Sequence, residues 1–322
     1  MLKSVITVVA AFGVLTGAAQ AQNYPNKPVR FISAYAPGGG QEVGLRVIAT
    51  RMTDAGWPQI VVENKPGGSG VLAAQTMLQA PADGYTVLQC DVTVLALNPS
   101  LIKDLAYDPQ KDFAPVTMTF SFPSVLVVPA NSPAKTIDDL INTAKTKPGG
   151  LNYASQGVGS GGHLLGTMFQ NSLGKPQTHV PYKGSAAALP DVIAGRVDML
   201  FSSFASAKGH IESGAVRALA VTSKKRMNEL PNIPTMTEAK YPDVFFDVWS
   251  GLCVPAATPP AVIAAIRAKA VEVLQQPDTI KRMSDAGLYA ETSASPDEFR
   301  ALVKSDIDRL GKVIKDAGVT PQ

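Results

Sequence analysis

Short apolar runs in this chain are repeatedly closed by a glycine- or serine-rich turn that leads straight into a helical pattern. Val29-Arg30-Phe31-Ile32-Ser33-Ala34-Tyr35 reads as a strand, ends in Pro37-Gly38-Gly39-Gly40, and gives way near Gln41 to a helix with Val43, Val47 and Ile48 on one face. Ile60-Val61-Val62-Glu63 does the same, closed by Pro66-Gly67-Gly68-Ser69-Gly70, and residues 85–89 form a third strand. The pattern returns at 151–155 before Gln156-Gly157-Val158-Gly159-Ser160-Gly161-Gly162 and at 178–182 before Lys183-Gly184-Ser185, and further strands are read at 125–128, 197–201 and 216–221. Strands alternating with helices predict an α/β fold. The C-terminal third reads as helices: an alanine-rich stretch over 260–275, then Ser295-Pro296-Asp297-Glu298, a capping box with proline at the first helical position.

A chain of 322 residues with 45% hydrophobic content is long enough for two domains. No glycine/serine linker separates them, so the chain is expected to cross on extended segments within 116–123 and 230–252. This gives domain 1 as 22–122 plus 236–322 and domain 2 as 123–235. The net charge of +3 is scattered, which argues against a nucleic-acid surface. Residues 1–21 have Lys3, an apolar run over 5–15 and Ala19-Gln20-Ala21. They read as a cleavable secretory signal, which predicts a periplasmic chain without membrane insertion. Cys90 and Cys253 are able to pair in an oxidising compartment, but their apolar surroundings favour two buried thiols.

The sequence holds no Gly-x-Ser-x-Gly elbow and no His-Glu-x-x-His motif, the signatures of two large hydrolase groups. His163, His179 and His210 lack metal-ligand spacing, so no metal is expected. Gly157-x-Gly159-x-x-Gly162 matches a dinucleotide pattern, but the acid required about 20 residues on is missing, the next being Asp191. No cofactor is expected. What the glycine turns do offer is unpaired backbone N–H groups at the positive ends of helices, which hold an anion without a basic side chain.

Several further stretches occur in a recognisable order: Ala36-Pro37-Gly38-Gly39-Gly40, Val62-Glu63-Asn64-Lys65-Pro66-Gly67-Gly68, Asp83-Gly84-Tyr85-Thr86, Asn98-Pro99-Ser100-Leu101, Leu151-Asn152-Tyr153-Ala154-Ser155, and Val180-Pro181-Tyr182-Lys183-Gly184. In number and order they resemble the Bug family, the periplasmic solute-binding proteins of tripartite tricarboxylate transporters, over essentially the whole mature chain. The resemblance implies a two-domain Venus-flytrap fold, each domain a mixed sheet flanked by helices. It also implies a small-molecule carboxylate held between the domains by loop N–H groups. Carried over by position, domain 1 would offer Tyr35, Gly38, Gly39, Gly40 and Thr93. Domain 2 would offer Ser155, Gly159, Ser160, His163, Lys183, Gly184 and Ser203, with His163 orienting its loop through a hydrogen bond.

The chain departs from the family pattern in three places. Glu42 stands where the family has Asp. Ser202-Ser203 stands where it often has Asp-Asn, which argues against an amino-acid ligand. Cys90-Asp91-Val92-Thr93-Val94-Leu95 replaces a small polar stretch, which is expected to bring apolar volume to the ligand and an unwelcome carboxylate, Asp91, to an anion site. The expected partners are the membrane subunits of a transporter, with the chain itself a monomer. A secreted hydrolase or transferase on the same architecture, or a ligand-sensing subunit, remains the alternative.

Overall fold

The computed structural model describes residues 24–322 except 36, 38, 39, 183, 224, 247, 317 and 322. The expected signal segment, 1–21, lies outside the described residues. Two units emerge. The first runs to Pro99 and takes in Asp104–Phe120 and Trp249–Ile307; the second holds Ser100–Lys103, Ser121–Val248 and Asp308–Gln322. The chain passes between them at 99–100, 103–104, 120–121, 248–249 and 307–308, the third and fourth of these inside strands. Residues 236–248, read as domain 1, fall with the second unit, where the Met236 N–H donates to the Val221 carbonyl at 2.9 Å.

The first unit opens with β1 (Val29–Ser33), α1 (Gly40–Asp54), β2 (Ile60–Asn64), α2 (Val71–Leu78) and β3 (Thr86–Asp91). A π-helical turn over Thr93–Leu97 and α3 (Asn98–Leu101) follow, then the long β4 (Phe113–Phe122). The second unit contributes β5 (Ser124–Pro129), α4 (Ile137–Thr146), β6 (Asn152–Ser155), α5 (Gly161–Leu173), β7 (Thr178–Pro181), α6 (Ser185–Ile193), β8 (Met199–Ser203), α7 (Phe204–Glu212) and β9 (Val216–Val221). The chain closes with β10 (Val248–Pro255), α8 (Pro260–Leu274), α9 (Pro277–Asp285), β11 (Tyr289–Ala290) and α10 (Pro296–Asp316). Helices α7 and α9 have no counterpart in the sequence reading. Each is nine residues long and buries few apolar side chains, so the periodic signal is short.

The sheets run β11-β4-β10-β3-β1-β2 and β7-β6-β8-β5-β9. Each contains the same device. Strand β1 lies between β2 and β3, parallel to both, and β6 lies between β7 and β8, parallel to both. Right-handed crossovers from a central strand, first to one neighbour and then back past it to the other, place successive helices on opposite faces. Ligands bind such sheets at the carboxyl ends of the strands, where the winding reverses. Antiparallel partners β10 (on β3) and β5 (on β8) complete the mixed sheets. The parallel strands are apolar because both faces are covered: Phe31, Ile32, Val87 and Leu88 in one unit, and Ala154, Leu200 and Phe201 in the other, have no exposed surface.

Cys90 and Cys253 are joined by a disulfide, not left as thiols, with Cα atoms 5.8 Å apart. Residues two apart on a strand share a face. Gly251 pairs with Cys90 across β10–β3, so Cys253 stands diagonally opposite Cys90 on that face. The sequence hid this because 163 residues separate the two. Trp249 is core: its ring meets Phe299 edge-on at 5.3 Å and its Nε1–H donates to Asp306 Oδ2 at 2.7 Å.

Candidate functional site

In the first unit the relevant residues gather at the carboxyl ends of β1, β2 and β3. Tyr35 follows β1 and is tied down on three sides. Its N–H donates to Ser33 Oγ at 3.3 Å, its carbonyl accepts from Asn64 Nδ2 at 2.8 Å, and its hydroxyl donates to Asp91 Oδ2. The Thr93 side chain also bonds the phenol. Asp91 therefore turns inward and has no exposed surface. Its Oδ1 accepts the Val94 N–H at 2.9 Å, so the carboxylate closes the turn after β3. Burial raises the Asp91 carboxyl pKa, and burial beside Asp91 raises the Tyr35 phenol well above its ordinary value.

The apolar residues after Thr93 do not reach a ligand surface either. Val94, Leu95, Ala96 and Leu97 are 0–4% exposed, which removes the expectation of an apolar ligand wall there. Glu42 is buried in the first turn of α1 and takes the Arg46 guanidinium, whose Nη2 also reaches Asn64 Oδ1 at 3.3 Å. Gly40 opens α1 and is exposed. Gly38 and Gly39 lie outside the described residues.

In the second unit three helices start where three parallel strands end: α5 after β6, α6 after β7 and α7 after β8. Gly184 precedes α6 with φ +106°, a backbone region suited to glycine. Neither α6 nor α7, which Ser203 precedes, has a side-chain cap. The Phe204 N–H of α7 donates to the Pro123 carbonyl at 3.3 Å, and the other first-turn N–H groups of the two helices have no capping side chain among the described residues. Ser203 Oγ donates to Ser206 Oγ at 2.9 Å, and Ser202, fully buried, donates to the Ser203 carbonyl at 3.0 Å.

Helix α5 differs. Ser160 caps it, accepting the His163 N–H at 3.4 Å and donating to the Gly157 carbonyl at 2.6 Å. The Gly159 N–H goes to His163 Nδ1 at 3.1 Å. Ser155, fully buried at the end of β6, bonds the Gly157 N–H and carbonyl, each at 3.0 Å, and His179 Nε2 at 2.6 Å. Gly159, Ser160, His163 and Ser155 thus shape one loop from within. Lys183 lies outside the described residues.

Two glutamines escaped the sequence reading. Gln156 joins all three strand ends: its Oε1 accepts the Gly162 N–H at 3.0 Å, and its Nε2 donates to Ser185 Oγ at 2.9 Å and the Phe201 carbonyl at 2.7 Å. Gln89 does similar work in the first unit, between Ser33 Oγ at 3.1 Å and the Gln41 carbonyl at 2.7 Å. The available signal was a polar residue inside or directly after an apolar strand, since buried polar groups are held by hydrogen bonds. His179 was also missed as a partner of His163; strand β7 supplies it. Among the described residues no cluster of His, Cys, Asp or Glu is arranged to hold a metal ion, and no helix is long and apolar enough to cross a membrane.

The fold agrees with that of the chain's relatives. Residues 45–319 match the family model for the tripartite tricarboxylate transporter family receptor. Protein BugT of Bordetella pertussis is 31% identical over 98% of this chain and 97% of its own length. Among solved structures, Rpa4515 of R. palustris with adipate superposes with a TM-score of 0.78 at 31% identity, covering 93% of this chain and 100% of that one. MatC of Rhodopseudomonas palustris with bound malate gives 0.73 at 28% identity, covering 90% and 100%. The two mixed sheets flanked by helices are the α/β fold of these binding proteins, and the chain belongs to the tripartite tricarboxylate transporter receptor family.

Proposed function

We propose that this protein is a periplasmic solute-binding protein that captures an organic carboxylate and delivers it to the membrane subunits of a tripartite transporter. The observation that carries this reading is the convergence of α5, α6 and α7 N-termini on one end of the second sheet, two of them without a side-chain cap. Helix N-termini favour anions through their free N–H groups and their dipole, and charge-assisted bonds to a carboxylate are the stronger kind. The adipate- and malate-bound relatives support a small dicarboxylate. Gly38, Gly39, Gly40 and Tyr35 are the first unit's candidate ligand contacts. Residues 1–21 would be removed on export, and the mature chain would act as a monomer that closes over its ligand by shifting an open–closed equilibrium.

Binding is favoured over turnover by the state of Ser155. A serine within 2.6 Å of a histidine nitrogen resembles an activated nucleophile. Here the hydroxyl has no exposed surface and is engaged by both polar groups of Gly157.

The test is calorimetry of the mature protein with adipate, malate, citrate, benzoate and glutamate. At least one carboxylate is expected to bind and be recovered unchanged, and Gly39→Pro, which removes an N–H and restricts φ, is expected to weaken it at least about tenfold while leaving the thermal midpoint in place. Release of a chemically altered ligand, or equal affinity in the variant, would overturn the reading or its loop mechanism, respectively.

A further inference from the structure

His163 on α5 and His179 on β7 stack almost parallel, with ring centroids 4.0 Å apart and 10° between planes. The stack continues onto Tyr153 of β6, 5.0 Å from His179. Both imidazoles hold the same loop. His163 Nδ1 accepts the Gly159 N–H, and a nitrogen that accepts carries no proton, so the neutral ring bears its hydrogen on Nε2. Ser155 Oγ donates to the Gly157 carbonyl and accepts the Gly157 N–H. Its remaining lone pair is suited to a proton on His179 Nε2, 2.6 Å away. The loop over 157–160 is thereby held at both ends by uncharged rings, with Val158, 65% exposed, at its tip.

A proton on His163 Nδ1 turns the acceptor into a donor facing the Gly159 N–H and sets a charge against a parallel ring. Among the described residues, the charged groups on the neighbouring strand end are already paired. Tyr182 at the end of β7 has its hydroxyl on Asp191 at 2.7 Å, and Asp191 is paired with Arg196, also at 2.7 Å. Tyr153 and Ser155 of β6 are neutral. Burial, reinforced by His179, lowers the His163 pKa to about 4, and burial lowers that of His179.

We propose that the His163–His179 stack positions the ligand loop through its neutral form, and that protonation of the stack releases the loop over 157–160 and the carboxylate with it. The proposal rests on the carboxylate-binding reading above only for the ligand's part; the loop's part stands apart from it. A released His163 returns toward the ordinary value near 6.5, so loop formation weakens as pH falls from about 6.5 toward 4, by at most roughly tenfold per pH unit.

The experiment uses ligand-free mature protein labelled with nitrogen-15. The imidazole nitrogen shifts report the tautomer, and the Gly159 N–H exchange rate, corrected for its intrinsic pH dependence, reports the loop. At pH 7.5, His163 is expected as the Nε2–H tautomer with Gly159 protected, and protection is expected to fall at least about tenfold by pH 4.5. In His163→Asn, Oδ1 replaces Nδ1 as an acceptor that does not titrate, so some protection returns and its pH dependence disappears. In His163→Leu protection is lost throughout. An Nδ1–H tautomer at pH 7.5, or pH-independent protection in the wild-type chain, overturns the proposal. Adipate titrations at both pH values complete the test. Parallel loss of affinity supports the coupling, while affinity indifferent to loop release overturns it. Failure of adipate to bind at pH 7.5 counts against the carboxylate reading for that probe and leaves the loop result to decide the role of His163.

Discussion

Reducing the Cys90–Cys253 bond is expected to destabilise the first unit, and the size of the effect reports how the two units unfold. The bond closes a loop of 163 residues, for which the chain-entropy estimate is about 5 kcal/mol. Most of that loop is the second unit, 121–248. If the second unit stays folded when the first melts, only about 35 residues of the loop become flexible, and the estimate falls to about 4 kcal/mol. A domain of this size shifts by roughly 2–4 °C per kcal/mol, so full reduction is expected to lower the first unit's transition by about 10 °C or somewhat more. Both sulfurs are buried among apolar groups, so reduction removes little packing, whereas the double substitution C90A/C253A adds a cavity cost on top. The assay is calorimetry with and without a phosphine reductant, on protein whose thiols have been counted after denaturation. A transition within 2 °C of the oxidised protein would refute the entropic reasoning. Two free thiols in the purified, non-reduced protein would refute the pairing itself.

Two further predictions concern the second unit's core. Gly166 on α5 has no room for a side chain, because a Cβ there would overlap the Tyr153 ring. Gly166→Ala is expected to destabilise by about 1–3 kcal/mol through overpacking and to disturb the His179 stack, read as a lowered chemical-denaturation midpoint. Folded His163 has a pKa of about 4, below its unfolded value near 6.5. The unfolded chain therefore takes up the proton first, and the contribution to stability, full above pH 6.5, is lost as pH falls toward 4. It amounts to about 3 kcal/mol at most. Denaturation at pH 7 and 4.5, wild type against His163→Asn, checks it; an equal drop in both assigns the acid sensitivity elsewhere.

Local signals in the sequence reached far because they are local in cause. A glycine-rich turn after a short apolar run stops a strand and starts a helix whatever surrounds it, so β1, β2, β6 and β7 and the helices after them were legible from residue order alone. The same turns identified the loops now seen at the carboxyl ends of the parallel strands. What stayed hidden depends on which distant strands become neighbours. Pairing of β3 with β10 turned two unremarkable cysteines into a disulfide. Pairing of β6 with β7 laid His179 against His163. The inward rotation of Asp91 onto Tyr35 and Val94 made harmless a carboxylate that looked hostile to an anion site. The apolar residues of 90–95, expected beside the ligand, went to the core, where Val92, Val94 and Leu95 have almost no exposed surface. Gln89 and Gln156 show the same division: each is an isolated polar residue in sequence, and only the meeting of separate strands gives buried Gln89 and half-buried Gln156 their donors and acceptors. Composition, turn chemistry and strand–helix alternation determined the kind of fold and where its loops lie; long-range strand pairing, which no short window of sequence encodes, decided which side chains hold those loops in place.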